Sequence, residues 1–302
     1  MFNRGTVAWT TILTTFITAL LGLHPWNTAN RIVAHPDDGY QPIVIMEPTR
    51  VEAGQAFRLT LRMFQPDGQT PLVSIDEVHT KLLHLILVSQ DLSQFLHVHP
   101  DYQGDGVFVL DDLSLPSDDN YTVFADFTPT NHTQKVVRME LSRPDAPIIL
   151  SNLAVTAQEI VVGPLKITVD VPDNQSAGIE QSLIFHVADA ETGDALDTLD
   201  EYRGAAGHLV IIDAPGEIYL HTHPAGHEMD DMGAMGGMAM AAQFGPDLEF
   251  NTTFPGTGLY KMWLQVQYKD EVYTAPFVVN VSEMAEVPAV ATAEAEAHEA
   301  HG

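Results

Sequence analysis

Apolar and polar residues alternate along several stretches of the chain, which is the pattern of β-strands with one buried face. The clearest stretches are residues 56–63, 165–171 and 259–268. Turn-forming sequences such as Pro-Asp-Gly at 66–68 and Pro-Gly at 215–216 separate short stretches of this kind. Beyond the N-terminal region, no stretch keeps the period of 3.6 residues that marks an amphipathic helix. The pattern therefore predicts an all-β protein.

The chain also contains a tandem repeat. A set of residues recurs 124 positions later, and after residue 224 the offset becomes 139, so the second copy has gained 15 residues. The matching pairs are Gly54 and Gly178, Glu77 and Glu201, His84 and His208, His97 and His221, His99 and His223, Tyr121 and Tyr260, and Phe124 and Trp263. Units of about 110 to 130 residues with short strands are typical of sandwiches. We predict two tandem immunoglobulin-like antiparallel β-sandwiches, over residues 35–147 and 148–283.

Both ends of the chain differ from the repeats. Residues 1–34 contain a mostly apolar run from Thr6 to Leu23, intermediate in length between a signal-peptide core and a membrane span. We interpret the segment as a signal peptide cleaved after Ala34 or as an uncleaved N-terminal membrane anchor. In both cases the repeats lie outside the cytoplasm. Residues 284–302 are rich in Ala and Glu and are predicted to form a disordered tail.

The composition limits the classes of function. The 302 residues include 41 acidic and 13 basic side chains, which give a net charge of −28. This charge argues against nucleic acids and anionic lipids as partners, because those surfaces are bound by clustered Lys and Arg. The absence of Cys excludes disulfides, thiolate zinc sites, iron–sulfur clusters and cysteine nucleophiles. Any metal site must therefore use His, Met, Asp or Glu, and the chain has 14 His and 11 Met.

The motif His-x12-His-x-His-Pro occurs once in each repeat. We call its histidines the first trio (His84, His97 and His99) and the second trio (His208, His221 and His223). Each motif reads as two strands around a turn, in which paired residues have numbers that sum to 183 in the first copy and 431 in the second. This register places the three imidazoles of a trio on one face of its hairpin. Three convergent imidazoles without a thiolate predict a site for Cu(II), Zn(II) or Ni(II), one in each repeat.

Two polar residues of the first repeat are candidates to join its trio, namely His79 and Asp126. Their counterparts in the second repeat are Arg203 and Gln265, which differ in chemistry. We therefore expect neither residue to belong to a site that both repeats share.

Glu77 and Glu201 do recur, and we expect them to orient a ligand histidine from behind. The alternative interpretation of the trios is structural. Both faces of each hairpin carry apolar residues, so the histidines could be hydrogen-bonded members of a duplicated core. Two copies with identical spacing favour metal binding over this alternative.

The residues that the second repeat has gained lie in a methionine-rich insertion, residues 225–244. Its candidate ligands are His227, Met229, Met232 and Met235, and two further methionines, Met238 and Met240, follow. Thioether sulfur prefers Cu(I), and nearby His, Asp and Glu can hold Cu(II). The insertion therefore favours copper as the bound ion, with zinc as the second candidate. The alternative is a loop whose methionines pack on a surface or a partner.

The residues around both motifs resemble a family of secreted bacterial proteins. The resemblance is carried by residues 81–91 with 95–100 (Phe-Leu-His-Val-His-Pro) and by residues 207–211 with 219–224 (Tyr-Leu-His-Thr-His-Pro). It implies an exported protein that binds heavy metals. More distantly, the chain is similar to the immunoglobulin-like sandwiches of YtkA-type and CopC-type copper proteins.

We therefore predict a non-enzymatic copper-binding protein that serves copper trafficking or tolerance. It is expected in the periplasm, outside the cell, or anchored to the outer face of the cytoplasmic membrane through residues 1–34. Its expected partners are metal ions and another exported copper protein or a membrane transporter, and not nucleic acid. One alternative is an adhesive or scaffold module without metal. The other is a cupin-like metalloenzyme, because His221, His223 and Glu228 approach the first cupin motif, but no histidine follows the turn at residues 255–256 within the repeat.

Deletion of residues 229–240 tests the role of the methionines. We expect weaker binding of Cu(I) and unchanged binding of Cu(II), because neutral, polarizable sulfur favours the soft monovalent ion. Titration of the intact and shortened chains with both ions measures the difference. A Gly-Ser segment of the same length is the matched control for loop length. Equal Cu(I) affinity in all three proteins would mean that the insertion serves another purpose.

Overall fold

A computed structural model describes residues 31–35, 39–144, 146, 149–172, 175–224 and 244–283. All the regular elements within these ranges are β-strands, so the prediction of an all-β protein is confirmed. None of the described residues forms a helix that is long and apolar enough to cross a bilayer. Residues 1–30, most of the methionine-rich insertion and the predicted tail lie outside the described residues.

The first half of the chain forms two antiparallel sheets. Its strands are β1 (Arg31–His35), β2 (Gln41–Glu47), β3 (Ala56–Phe64), β4 (Ile75–Asp76), β5 (His84–Ser89), β6 (Phe95–Val98), β7 (Asp101–Gly104), β8 (Val107–Ser114), β9 (Tyr121–Pro129) and β10 (Lys135–Ser142). One sheet has the order β1-β10-β9-β5-β6, with β4 paired to β9, and the other has the order β2-β3-β8-β7. Between them lies a core that includes Leu61, Leu85 and Phe108.

The second half repeats this arrangement. Its strands are β11 (Glu159–Val162), β12 (Leu165–Asp170), β13 (Glu180–Asp189), β14 (His208–Asp213), β15 (Tyr219–Thr222), β16 (Asp247–Thr253), β17 (Gly258–Tyr268) and β18 (Glu271–Val281). The two sheets have the orders β15-β14-β17-β18 and β11-β12-β13-β16. Their shared core includes Phe185, Leu209 and Phe250.

Equivalent strands of the two halves occupy equivalent places. β2, β3, β5 and β6 correspond to β12, β13, β14 and β15, and β8, β9 and β10 correspond to β16, β17 and β18. Among the described residues β1, β4, β7 and β11 have no counterpart strand, and the methionine-rich insertion takes the place of β7 in the sequence. Four antiparallel sheets thus form two β-sandwiches, and the predicted fold class of two tandem immunoglobulin-like sandwiches is confirmed.

The predicted cleavage site coincides with a strand of the first sandwich. β1 pairs along β10, with Ala34 opposite Met139. Cleavage after Ala34 would therefore cut within β1. Because β1 is the outer strand of its sheet, its loss would leave β10 as the sheet edge and the other pairings in place. Cleavage remains a prediction, as does the anchor.

The hairpins that carry the trios have the predicted register. Leu85 pairs with Val98 in the first half, and Leu209 pairs with Thr222 in the second. These pairs have the expected sums of 183 and 431. Gly216 closes the second hairpin with a φ of +74°, a conformation that glycine adopts without steric cost.

β5 and β14 are buried along their whole length. One face of β5 enters the core of its own sandwich through Leu85 and Leu87. The opposite face carries Ile86 and Val88, which belong to a separate cluster. A strand with apolar residues on both faces must be covered on both sides, and the cover on the second side is the other half of the chain.

The two sandwiches pack face to face through these second faces. The buried residues of this interface core are Ile86, Val88, Leu92, Phe124, Val210, Ile212 and Trp263. Two aromatic stacks join the halves: Phe95 lies on Trp263 with ring centroids 4.9 Å apart, and Tyr219 lies on Phe124 at 4.8 Å. Phe95 and Tyr219 are repeat counterparts, as are Phe124 and Trp263. Each contact therefore occurs twice with the halves exchanged, as in an isologous dimer interface.

The substitution Ile86→Ala tests the packing of the interface core. We expect the free energy of unfolding to fall by about 2–5 kcal/mol, because the change removes a fully buried side chain and leaves a cavity. Ile43→Ala is the matched control, since it removes the same atoms from a strand residue that is 51% exposed. Its expected effect is within about 0.5 kcal/mol. Urea unfolding measures both, and equal losses would contradict the packing of the two sandwiches in solution.

Candidate metal centre

The trios lie beside the interface core, on the faces that join the two sandwiches. His84 shares a strand face with Ile86, because residues two apart in a strand point the same way. Its Nδ1 atom is 3.2 Å from Nε2 of His97 and 3.0 Å from Nε2 of His99. The second trio repeats these distances, with Nδ1 of His208 at 3.2 Å and 3.0 Å from the Nε2 atoms of its partners. The imidazoles of each trio therefore converge as the hairpin register predicts.

The central ring of each trio is held from behind by the main chain. Nε2 of His84 donates to the carbonyl oxygen of Val78 at 3.1 Å, and Nε2 of His208 donates to that of Tyr202 at 2.9 Å. A carbonyl oxygen only accepts hydrogen bonds, so the proton is on Nε2 in both rings. Nδ1 is then left with a lone pair that points at the other two imidazoles.

Residues of the opposite half hold a second ring of each trio. Nδ1 of His97 donates to Oε1 of Gln265 at 2.7 Å, and Nδ1 of His221 donates to Oδ2 of Asp126 at 3.0 Å. Asp126 lies opposite His84 in the β5–β9 ladder, and Gln265 lies opposite the central ring of the second trio in the β14–β17 ladder. The prediction that Asp126 stays outside a shared arrangement was wrong. A carboxylate and an amide differ in charge, but both accept the same hydrogen bond.

The glutamates do not have the predicted supporting role. Both side chains are exposed, and the Glu201 carboxylate accepts a hydrogen bond from the main-chain nitrogen of Gly204. The contacts to His84 and His208 come instead from the carbonyl of the residue that follows each glutamate. What the two halves share is thus the path of the main chain, which places a carbonyl oxygen behind each central ring. The recurring glutamate side chains take no part in this contact.

The two trios form one cluster between the halves. His221 offers a ligand atom within 4.8 Å of those of His84 and His97, and equally within 4.8 Å of those of its own trio. The ring centroid of His221 is 5.2 Å from that of His84 and 5.4 Å from that of His97. Ring centroids within each trio are 4.6 to 5.5 Å apart, so His221 lies as close to the first trio as the members of a trio lie to one another. Each half supplies three histidines, as predicted, but the two sets are joined across the interface.

Burial keeps most of these imidazoles in the neutral form. Desolvation, with repulsion from neighbouring histidines as the second cause, lowers the pKa of His84 to about 4 and that of His99 to about 2. The same two causes lower the pKa of His97, His208 and His223. Neutral imidazole is the form that binds a metal ion, so these rings need not lose a proton to do so at neutral pH.

One carboxylate is buried against the cluster. Asp126 accepts hydrogen bonds from His221, Tyr219 and Gln134. Burial raises the pKa of Asp126, but the hydrogen bonds and the interaction with His221 outweigh it, so the pKa lies below its ordinary value. Asp126 is therefore negatively charged at neutral pH, whereas its counterpart Gln265 is neutral.

A cavity of about 190 Å³ reaches the cluster from one side. Its lining includes His79, Lys81, His84, Asp126, His221 and His223. The ring of His79 lies over that of His223, with centroids 3.5 Å apart. Three cluster histidines line this cavity together with His79, which the sequence offered as a candidate for the first trio but which lies on a ring of the second.

The remaining candidate ligands, His227, Met229, Met232 and Met235, lie outside the described residues. They follow Pro224 closely in the sequence, and their role stays a prediction. His186 lies apart from the cluster, where its two ring nitrogens contact Asp247 at 2.7 Å and Asp170 at 3.1 Å.

Comparison with known proteins gives one family match, which occurs once in each half. The family model described as "Domain of unknown function (DUF8832)" matches residues 35–142 and 161–283. No curated protein matches the sequence.

Three solved structures are similar to the chain at low identity. A tetra-tandem repeat from the extending region of a large adhesion protein is 10% identical, with a TM-score of 0.26. The match covers 82% of this chain and 50% of the adhesion-protein repeat, so this chain spans half the length of that structure. The human OSCAR ligand-binding domain is 13% identical (TM-score 0.18, 80% and 97% covered). Chicken CNTN1 FN1–FN3 domains are 11% identical (TM-score 0.19, 77% and 65% covered). Similarity at this level says nothing about function.

The lowered histidine pKa values predict that the metal-free protein loses stability in mild acid. Below about pH 6.5 the unfolded chain binds protons on these histidines, whereas the folded chain leaves His84 neutral down to about pH 4. The free energy of unfolding therefore falls as the pH drops from 6.5 to 5, by up to about 1.4 kcal/mol per pH unit for each such ring. Urea unfolding at several pH values, with a chelator present, measures this slope.

His84→Gln should make the slope shallower by the contribution of one ring, because glutamine does not titrate and can still donate to Val78. His132→Gln changes an exposed histidine and serves as the control. If the two variants have the same slope, His84 is not held neutral in the folded protein.

Proposed function

The chain belongs to the DUF8832 family, and we propose that it is an exported protein that binds copper between its two sandwiches and serves copper trafficking or tolerance. The observation that carries this proposal is the orientation of the lone pairs in the trios. Nδ1 of His84 and Nε2 of His97 are 3.2 Å apart, and the opposite nitrogen of each ring is committed as a donor. The same holds for His208 and His221.

Two lone pairs that face each other at this distance repel unless a cation lies between them. In a fully hydrogen-bonded structural histidine one ring nitrogen donates and the other accepts. Here both inward nitrogens are acceptors, and the third ring, His99, can donate from Nε2 to Nδ1 of His84 at 3.0 Å. Nε2 of His97 then still faces no donor among the described hydrogen bonds and fits a metal ion or a shared proton. In addition, Nδ1 of His99 is buried and has no hydrogen-bond partner among the described residues. The arrangement therefore supports an ion site more than a structural core.

The spacing of the nitrogens suits a four-coordinate ion. With metal–nitrogen distances of 2.0–2.1 Å, neighbouring ligands are about 3.3 Å apart in a tetrahedron and about 2.9 Å apart in a square. In each trio, Nδ1 of the central ring lies 3.0 and 3.2 Å from the Nε2 atoms of the other two rings. Two rings of each trio would need little movement, because the outer nitrogens of His84, His97, His208 and His221 are already hydrogen-bonded in the required tautomer.

Copper is favoured over zinc by the sequence around the second trio. Imidazoles alone suit Cu(II), Zn(II) and Ni(II). The thioethers of Met229, Met232 and Met235 follow in the adjoining insertion, and these ligands select Cu(I). A protein that offers both ligand types can hold copper in either oxidation state.

The proposal is for a binding protein rather than an enzyme. The net charge of −28 draws cations towards the surface, and the cavity beside His79 offers a route to the trios. Export rests on the sequence of residues 1–34. A metal-transfer partner would be another exported copper protein or a membrane transporter.

Removing the central ring of each trio tests this function. The double variant His84→Gln with His208→Gln should lose tight Cu(II) binding, by more than about 100-fold, because each replaced ring faces the other two of its trio. Calorimetric titration of the full chain against a competing chelator measures the affinity. The matched control, His132→Gln with His186→Gln, removes two histidines from outside the cluster and should bind Cu(II) like the unmodified chain.

Metal analysis of protein purified from the exported fraction identifies the native ion. Copper close to the stoichiometry of the cluster would support the proposal. Tight Cu(II) binding that survives in the double variant would place the metal elsewhere and refute it.

A further inference from the structure

The surroundings of the two trios differ in charge. His221 of the second trio is held by the carboxylate of Asp126, whereas His97 of the first trio is held by the neutral amide of Gln265. A carboxylate behind a ligand imidazole makes the ring a stronger donor to a metal ion and compensates part of the ion's charge. A neutral amide orients the ring but supplies no charge.

The difference lies in the hydrogen bonds to the ligand rings. Asp126 also lies opposite His84 in the β5–β9 ladder, but the cluster ring that donates to its carboxylate is His221. An ion at the second trio therefore has a carboxylate hydrogen-bonded to one of its ligand rings, and an ion at the first trio has an amide in the equivalent place.

Two ions in the cluster would also lie close together. Ligand atoms of the two halves are within 4.8 Å of one another through His221. With metal–nitrogen distances of 2.0–2.1 Å, the ions would be at most about 9 Å apart. Two divalent charges at such a distance repel strongly in a buried site, and Asp126 is the only buried carboxylate that contacts the described cluster histidines.

We propose that the six histidines form a single centre that fills in a fixed order: the first divalent ion binds at the second trio, through His221 held by Asp126, and that ion weakens binding at the first trio. This proposal rests on the metal-binding function proposed above and adds the order and the coupling of the two sites. Asp126 acts through His221 and is a positioning residue.

The single-atom substitutions Asp126→Asn and Gln265→Glu test the order. In Asp126→Asn, the asparagine oxygen can still accept from His221 and Tyr219, and rotation of the Gln134 amide restores its contact to the new NH2 group. In Gln265→Glu, one carboxylate oxygen accepts from His97 and the other accepts from the hydroxyl of Thr274. In the native chain that hydroxyl accepts a hydrogen bond from Nε2 of Gln265 at 3.2 Å. Both variants therefore keep the hydrogen-bond partners of the cluster.

Titration of the full chain with Cu(II), by calorimetry and electron paramagnetic resonance, should show two unequal binding events. Asp126→Asn should lower the first affinity about 10–100-fold, and Gln265→Glu should raise affinity at the first trio by a similar factor. The double swap keeps the total charge and exchanges the two surroundings. It should send the first ion to the first trio.

The location of the first ion is assigned with His99→Gln and His223→Gln. In the native background His223→Gln should remove the tighter event, and in the double swap His99→Gln should do so. A purely structural role for Asp126 would not exchange the trios. If Asp126→Asn does not fold, Gln265→Glu alone still tests the order, because it retains Asp126.

Two equal and independent Cu(II) events, or an unchanged order in the double swap, would overturn this proposal and leave the proposed function intact. Absence of Cu(II) binding in the native chain would refute both. A magnetically interacting Cu(II) pair at two equivalents, with an isolated Cu(II) signal at one, is the result expected for one centre.

Discussion

The packing of the outer faces of two sheets against each other is the interaction on which the rest of the structure depends. β5 and β14 are apolar on both faces, so neither sandwich can be complete without cover from the other. The contact buries Ile86, Val210 and Trp263 in a core of its own. It also removes the histidine trios from water, and this desolvation is the largest cause of their lowered pKa values. The neutral imidazoles and the tautomers of His97 and His221 depend on that contact, whereas the tautomers of His84 and His208 are set by carbonyls of their own halves.

Duplication explains why each supporting contact occurs twice. Phe95 on Trp263 is matched by Tyr219 on Phe124, and the cross-interface hydrogen bond of His97 is matched by that of His221. An isologous interface places equivalent residues near its axis, so side chains of both halves meet there. A histidine motif that would form an exposed site in one isolated repeat thus becomes part of a buried six-ring cluster in the duplicated chain.

Two differences between the halves lie at this cluster, and a third follows the second trio in the sequence. Asp126 is replaced by Gln265, His79 by Arg203, and the sequence after the second trio is lengthened by the methionine-rich insertion. The first replacement keeps the hydrogen bond and changes the charge. The second exchanges an imidazole for a permanent cation. Both replacements keep the packing of the two sandwiches equivalent and change the charge near the histidines. Two copies of one domain can acquire different affinities for the same ion through such a change of charge.

The sequence by itself determined the fold class, the duplication and the geometry within each hairpin. Alternation with a period of two identified the strands, and turn residues at 215–216 determined the register that brings a trio to one face. These features are local, because neighbouring residues and short turns decide them.

Only the tertiary structure decided which surfaces meet. β5 and β14 carry apolar residues on both faces, which indicates that both faces are covered. The sequence does not show that the two strands cover each other. The role of Asp126 was hidden for the same reason, since its partner His221 is 95 residues away and on another sandwich. The main-chain carbonyls of Val78 and Tyr202 carry no sequence signal at all, because every residue has a carbonyl and only the path of the folded chain aims it at a ring.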